Sequence, residues 1–366
     1  MQATRIMITG GGTGGHIFPA VSIANALREI EPQCEILFVG ALGRMEMEKV
    51  PAAGYKIVGL NISGFQRGSI LKNLNLPFKV IESVSKAKDL INEFKPDVIV
   101  GVGGYASGPL LYAASRKKIP YLIQEQNSFA GITNKWLSKN AAKICVAFDG
   151  MERFFPAEKI LKTGNPVRSS VIDVKDKRFA GATLLKLDPL KKTILVTGGS
   201  LGSAMLNKSV ERFIDELVAN DIQLIWQTGK YYFEGIMERV GPSKPGIIIL
   251  EFLYKMDLAY AAADVIISRA GAGTIAELCF IKKPVILVPS PNVAEDHQTQ
   301  NAMALVKNGA AILIKDDEAE VNLIPEAINL INDEAKCETL SVNIGKMAMP
   351  DADLIIAKEV LKLAGK

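Results

Sequence analysis

His16 is one of two histidines in the 366-residue chain, and it closes a glycine-rich turn, Gly10-Gly11-Gly12-Thr13-Gly14-Gly15-His16. An imidazole changes charge near neutral pH, so at the mouth of such a turn it is the best general base in the sequence. The plainer alternative is a polar residue near a helix start that satisfies a backbone group. No second histidine, cysteine or carboxylate stands at ligand spacing from it, which argues against a metal site. A second turn, Gly198-Gly199-Ser200-Leu201-Gly202-Ser203, heads the other half of the chain. Each turn follows a short apolar run, Ile6 to Thr9 or Ile194 to Thr197, and precedes a helical stretch. Glycine lets backbone N–H groups approach a ligand with no Cβ in the way. The helix start adds unpaired N–H groups and a partial positive charge that suit an anion. Two phosphate-binding domains are the expectation.

Glu277 follows Gly271-Ala272-Gly273-Thr274, one turn into an expected helix. Its two carboxylate oxygens could accept both hydroxyls of a ribose. Thr274-x-x-Glu277 also fits a capping box, in which the glutamate only holds the helix start together. Gly10-x-Gly12-x-x-Gly15 formally matches the dinucleotide fingerprint. The second strand, however, ends Phe38-Val39-Gly40, with its nearest acid, Glu35, at its start. Neither turn ends in Gly-Lys-Ser/Thr, so a Walker A loop is excluded. Asp351-Ala352-Asp353 has the spacing of a metal clamp, but it opens the last amphipathic helix rather than following a buried strand.

The elements that must position these residues are legible as runs of Val, Ile and Leu. In the first half they are 5–9, 35–39, 97–102, 120–123 and 143–147. In the second they are 193–197, 222–227, 247–250, 264–268, 284–288 and 311–314. Continuous apolar strands separated by helices predict parallel sheets covered on both faces, an α/β doubly wound class. Asp97 to Val100 leading into Gly103-Gly104 is echoed by Asp264 to Ile267 leading into Gly271-Ala272-Gly273. Each half therefore carries two glycine loops at carboxyl ends of strands, where open α/β sheets bind ligands. Gly164-Asn165-Pro166 predicts the boundary, giving domains 1–164 and 165–350 and a final helix, 351–366, that returns to the first domain.

Nearly half of the residues are apolar and no low-complexity tract interrupts them, as in a folded globular protein. No apolar run approaches the about 18 residues of a membrane span, and the first strand begins too early for a signal peptide. The scattered cysteines, Cys34, Cys145, Cys279 and Cys337, read as reduced and buried, which predicts a cytoplasmic chain. Charge is uneven. Residues 1–166 carry 20 Lys/Arg against 13 Asp/Glu, and the remainder 23 against 26. Within the basic half, residues 67–88 combine Arg67, Lys72, Lys79, Lys86 and Lys88 with Leu71, Leu74, Phe78, Val80 and Ile81. Such a segment can lie on an anionic membrane surface or be a helix whose lysines snorkel over its own core. Arg116-Lys117-Lys118 and Lys135-Trp136 favour the membrane.

Seven motifs now stand in order: Gly11 to His16, Gly103-Gly104-Tyr105-Ala106-Ser107-Gly108-Pro109, Glu125-Gln126-Asn127 with Thr133-Asn134-Lys135, Gly164 to Arg168, Gly198-Gly199-Ser200, Ser268 to Glu277, and Asp296-His297-Gln298 with Asn301-Ala302. In that order they resemble the MurG family, the bacterial N-acetylglucosaminyltransferases that complete the lipid-linked peptidoglycan precursor. The resemblance implies a GT-B fold of two Rossmann-like domains facing a central cleft. It implies inverting transfer of N-acetylglucosamine from UDP-N-acetylglucosamine to the 4-hydroxyl of the muramoyl sugar of lipid I, giving lipid II. Arg168, Ser200, Leu253, Ala272, Gly273, Thr274, Glu277 and Gln298 would hold the donor, joined by Thr13, Gly14, Gly15 and Asn127. Gly12, His16, Gly103, Gly104, Tyr105 and Ser107 would face the acceptor, with His16 as base or as a ligand of the acceptor diphosphate. No metal, cofactor or nucleic acid is implied, and the place of action would be the cytoplasmic face of the inner membrane. Gln124 stands where some relatives have histidine, and His297 where some have glutamine. Two rivals remain: another GT-B nucleotide-sugar enzyme, either an epimerase or a transferase with a different acceptor, and a non-catalytic nucleotide-sugar-binding protein.

Overall fold

The structure is a computed structural model that describes residues 3–64, 75–199, 201–241, 244–293 and 296–366. Two compact units form, one of Met1–Val167 with Met349–Lys366 and one of Arg168–Ala348. The first holds strands β1 (Arg5–Thr9), β2 (Glu35–Ala41), β3 (Lys56–Leu60), β4 (Val98–Gly101), β5 (Tyr121–Glu125), β6 (Lys143–Val146) and β7 (Ile160–Lys162). They form one parallel sheet in the order β3-β2-β1-β4-β5-β6-β7. The second unit holds β8 (Thr193–Thr197), β9 (Gln223–Gln227), β10 (Ile247–Leu250), β11 (Val265–Ser268), β12 (Val285–Leu287) and β13 (Ile312–Leu313). Their parallel order is β10-β9-β8-β11-β12-β13. Both units are Rossmann-like, as the apolar runs predict.

The eleven runs read from the sequence all become strands. Two strands were not anticipated, β3 and β7, and they are the two edges of the first sheet. The reason is burial. Central strands such as β1, β4 and β8 are covered on both faces and read as unbroken apolar runs, whereas β3 begins with exposed Lys56 and β7 ends with exposed Lys162. An edge strand is half solvated, so its composition carries a weaker signal.

The internal echo has a structural meaning. Asp97, ahead of β4, accepts the Arg5 N–H through Oδ2 at 2.8 Å, tying the start of β1 to its neighbour. Asp264, ahead of β11, does the same for Thr193 of β8 at 2.8 Å and also binds the Arg178 guanidinium at 2.6 and 3.0 Å. In each unit the strand order reverses between these paired strands. Ligands gather at the carboxyl ends of strands flanking such a reversal. The glycine turns after β1 and β8 lie there, beside the loops after β4 and β11.

The helix Ala352–Leu363 packs along the helix Gly14–Ile30, where Ile356, Ala357, Val360 and Leu361 join the core with Ile23 and Leu27. Burying the isoleucine, valine and leucine side chains among these contributes roughly 1.5–3 kcal/mol each. Asp351 precedes this helix in a left-handed conformation, φ 58°, and the Asp353 carboxylate accepts the Leu354 N–H at 2.9 Å. All four cysteines are free thiols; Cys34, Cys145 and Cys279 are buried and Cys337 is half-buried.

Candidate active site

In the first unit the turn after β1 is shaped by a residue that the sequence reading did not single out. Glu46 opens the short helix Glu46–Ala52 and is 1% exposed. Its carboxylate accepts the Gly12 N–H at 3.1 Å and the Ala41 N–H at 3.0 Å. A Cβ on Gly11 or Gly40 would run into this same side chain. Gly12 itself adopts φ 88°, a left-handed backbone that favours glycine. Its amide is engaged by Glu46, and that contact shapes the turn. The Tyr105 ring lies over Gly12, 3.2 Å from where a Cβ would be. Burial lifts the Tyr105 phenol above its usual range, opposed by the Arg44 guanidinium that it hydrogen-bonds.

Thr13 caps the helix Gly14–Ile30, its backbone carbonyl accepting the N–H groups of His16 and Ile17 at 3.1 and 3.2 Å. His16 is half-buried, and its Nδ1 meets the Thr13 hydroxyl at 3.1 Å. The imidazole rests on the second glycine loop. A Cβ on Gly103 would lie 3.2 Å from His16 Cδ2 and 3.3 Å from Nε2, and one on Gly104 would collide with the Gly11 carbonyl. Both glycines have positive φ, 95° and 78°. The two loops therefore interlock, and glycine at 103 and 104 is what lets them do so. Ser107 is fully buried and donates to the Gly104 carbonyl at 2.8 Å, holding the second loop from within.

The motif at the end of β5 is organised by Glu125, which is 2% exposed. Its carboxylate accepts the Asn127 N–H at 3.1 Å, the Gly131 N–H at 3.1 Å and the Asn134 amide at 2.8 Å. Burial raises the Glu125 pKa, and these hydrogen bonds oppose the rise. Asn134 also flanks Gly103, its amide nitrogen 3.3 Å from a Cβ placed there. Gln124, Gln126 and Asn165 form a buried amide network, with Gln124 donating to Asn165 at 2.9 Å and Asn165 to the Gln126 carbonyl at 2.9 Å. Asn127 is thus positioned by Glu125, and the chain at Gly164 to Pro166 is tied to the same strand end.

In the second unit the turn after β8 is held from three sides. Gln227 donates to the Gly199 carbonyl at 2.9 Å, and Thr197 donates to Gln227 at 2.6 Å. Ser203 caps the helix Ala204–Ala219, accepting the Leu206 N–H at 3.3 Å. Arg269 donates to the Ser203 hydroxyl, to Asp316 at 2.5 Å and to the carbonyls of Val288 and Pro289 at 3.1 Å, so one guanidinium gathers four strand-end loops. Ser200 lies outside the described residues.

Glu277 sits on the helix Ala272–Ile281, whose cap is Gly271 and not Thr274. The capping-box alternative therefore fails: Thr274 is inside the helix, and the Glu277 carboxylate turns to side chains instead. It accepts the Arg168 guanidinium at 2.9 Å and the buried Tyr260 hydroxyl. Burial raises its pKa above the ordinary value, against the lowering effects of Arg168 and Tyr260. The side chain is 13% exposed, so one edge still reaches solvent. Gly273 has open space where a Cβ would be, leaving the helix start accessible. Gln298, on the helix His297–Val306, accepts the Ser290 N–H at 2.9 Å, and Leu253 is 7% exposed in the loop after β10.

The structure thus brings Gly12, Thr13, His16, Gly103, Gly104 and Tyr105 into one cluster, and Arg168 and Glu277 into another. Glu46 and Tyr260 are site-shaping residues missed from sequence, and Arg269 stood in the Ser268 to Glu277 motif without a role. Only Glu46 left a usable signal: it is the first acid after the second strand, beyond the strand end where a fingerprint acid is sought.

The sequence matches the glycosyltransferase family 28 N-terminal domain over residues 6–146 and the C-terminal domain over residues 193–354. It is 55% identical over 363 residues to the UDP-N-acetylglucosamine–N-acetylmuramyl-(pentapeptide) pyrophosphoryl-undecaprenol N-acetylglucosamine transferase of Bacteroides thetaiotaomicron, covering 98% of both chains. The Parabacteroides distasonis protein of the same description is 52% identical over 367 residues, covering 100% of each. The crystal structure of Acinetobacter baumannii MurG superposes with a TM-score of 0.80 at 28% identity, over 98% of this chain and 99% of that one.

Proposed function

The chain belongs to the MurG family within glycosyltransferase family 28, and from that premise we propose how it moves N-acetylglucosamine from UDP-N-acetylglucosamine to lipid I, forming lipid II. The observation that carries this reading is the end-to-end match at 55% identity. The site residues fit the chemistry. Glu277, anchored by Arg168 and Tyr260, presents its remaining carboxylate edge to the ribose hydroxyls of the donor. The turn after β8 and the start of the helix Ala272–Ile281 supply fixed N–H dipoles for the diphosphate. As the bond from the sugar anomeric carbon to the diphosphate oxygen breaks, negative charge develops on UDP, and preorganised dipoles stabilise it without a metal.

On the acceptor side, His16 takes the proton of the muramoyl 4-hydroxyl as its oxygen attacks the anomeric carbon. Such a single displacement inverts that centre and requires no protein nucleophile. The tautomer matters. A proton on Nδ1, donated to the Thr13 hydroxyl, leaves the accepting lone pair on Nε2, the nitrogen beside Gly103.

The first unit also presents a surface for the lipid-anchored acceptor. Among the described residues no helix is long and apolar enough to cross a membrane. The helix Leu76–Phe94 exposes Phe78 and Ile81 at 73% and 69%, and the helix Ile132–Leu137 exposes Ile132 and Trp136 at 66% and 60%. Lys79, Lys88 and Lys135 lie on the same helices, whereas Lys86 is turned inward to the Gly59 carbonyl at 2.9 Å. Arg67 and Lys72 fall outside the described residues. Exposed aromatics with lysines suit the anionic inner face of the cytoplasmic membrane, held peripherally.

Radiolabelled N-acetylglucosamine transfer to a muramoyl-diphospholipid, with and without a strong chelator, tests the whole reading. Transfer with an inverted anomeric centre in both conditions is expected. Donor binding without transfer would point to the binding-protein rival, release of an epimerised sugar nucleotide to the epimerase, and loss of activity with chelator would overturn metal independence.

A further inference from the structure

We propose that Glu46 is a positioning residue for the acceptor side of the reaction: its carboxylate reserves the Gly12 amide and sets the path of the turn that carries Thr13 and His16. The inference rests on the assignment of the first unit to the acceptor. Three observations converge on it. The carboxylate is 1% exposed and accepts two backbone N–H groups, from Gly12 and from Ala41 at the end of β2, so it bridges the turn to the neighbouring strand. The space that it fills is kept free by glycine on both sides, since a Cβ on Gly11 or Gly40 would strike it. Tyr105 closes the other side of Gly12 and lies in the field of both Arg44 and Glu46.

The consequence is a division within one glycine turn. A nucleotide-type turn offers its own amides to a phosphate, but here the Gly12 amide is already a donor to a carboxylate. A diphosphate approaching Gly11 and Gly12 would also meet a like charge. The acceptor anion is therefore steered past Gly12 toward His16 and the facing Gly103-Gly104 loop. The same carboxylate explains why a turn with a dinucleotide fingerprint serves a different ligand.

The test is Glu46→Gln, with the exposed Glu48→Gln as a control on the same helix. An amide at position 46 cannot accept from both N–H groups without presenting its own donor to one of them. The expected result is a loss of about tenfold or more in acceptor kcat/KM, larger than any rise in donor KM through Thr13 to Gly15, with UDP affinity within about twofold of wild type. A second readout does not depend on turnover. With two histidines in the chain, imidazole NMR resolves His16 from His297, and the His16 ring signals should change position in Glu46→Gln and not in Glu48→Gln. Gly40→Ala, which pushes on Glu46 without altering its chemistry, should reproduce the acceptor loss if Glu46→Gln fails to fold. Unchanged acceptor kinetics with unmoved His16 ring signals would overturn the proposal, as would equal losses of donor and acceptor affinity. Wild-type protein that binds UDP but transfers nothing would instead count against the function, while the His16 ring signals still score Glu46.

Discussion

Glu277→Gln isolates one contact of the donor site with little change in shape. Two effects must be separated. In the folded protein Glu277 pairs with Arg168 at 2.9 Å, but the Arg168 side chain is 44% exposed, so solvent screens the pair. Its loss should cost about 0–1 kcal/mol of stability. For a unit of this size that is a fall in melting temperature of no more than about 4 °C. The donor contact is worth more. A hydrogen bond from a ribose hydroxyl to a charged carboxylate contributes about 1.5–3 kcal/mol, which predicts a rise in donor KM of about 10- to 100-fold. Acceptor KM should stay near wild type, because Glu277 belongs to the second unit. The pH dependence sharpens the test. Burial raises the Glu277 pKa above 4.5, and only the ionised form accepts both hydroxyls. Donor kcat/KM should therefore fall as pH drops through that raised value, and this limb should vanish in the glutamine variant. The sign for stability is opposite: a raised carboxyl pKa favours the fold below the unfolded value, and that contribution is lost as pH rises through the folded one. Steady-state kinetics against donor, from pH 5 to 8, together with thermal melts, provide the measurement. A donor KM within about threefold of wild type beside a melting temperature lowered by about 10 °C or more would refute the reasoning and leave Glu277 a structural residue.

His16→Ala should lower turnover by roughly 10²–10⁴ with donor affinity retained, and a loss below about tenfold would reassign His16 to acceptor binding. Replacing Phe78 and Ile81 by serine together with Lys79→Glu should weaken sedimentation with anionic vesicles while transfer to a detergent-soluble acceptor persists; undiminished vesicle binding would remove this surface from the account. Lys283 is half-buried, donates to the backbone carbonyls of Ala261 and Ala263, and has its pKa lowered to about 8 by desolvation. Between that value and the ordinary 10.5 the unfolded chain holds a proton that the folded one has released, so stability should rise with pH across this window. Denaturation series at pH 7 to 10 should show the rise in wild type and not in Lys283→Met; identical profiles would contradict it.

The sequence by itself determined what depends on neighbours along the chain. Strands buried on both faces declare themselves as unbroken apolar runs, which is why β1, β4, β8 and β11 were legible and the half-solvated edges β3 and β7 were not. The glycine turns were legible too, because a left-handed backbone at Gly12, Gly103 and Gly104 restricts the residue type at those positions. Only the tertiary structure decided which partners those turns meet. Glu46 reaches Gly12 across 34 positions of chain, Arg168 reaches Glu277 across 109, and Arg269 reaches Ser203 across 66. Such contacts follow from how parallel strands are ordered in a sheet, and no local spacing encodes them. The choice between a cap and a ligand contact at Glu277 shows the same limit: Thr274-x-x-Glu277 is a valid local pattern, but Gly271 begins the helix and packing turns the carboxylate toward Arg168 and Tyr260. Residue type set what each side chain could do, and the fold chose which of those things it does.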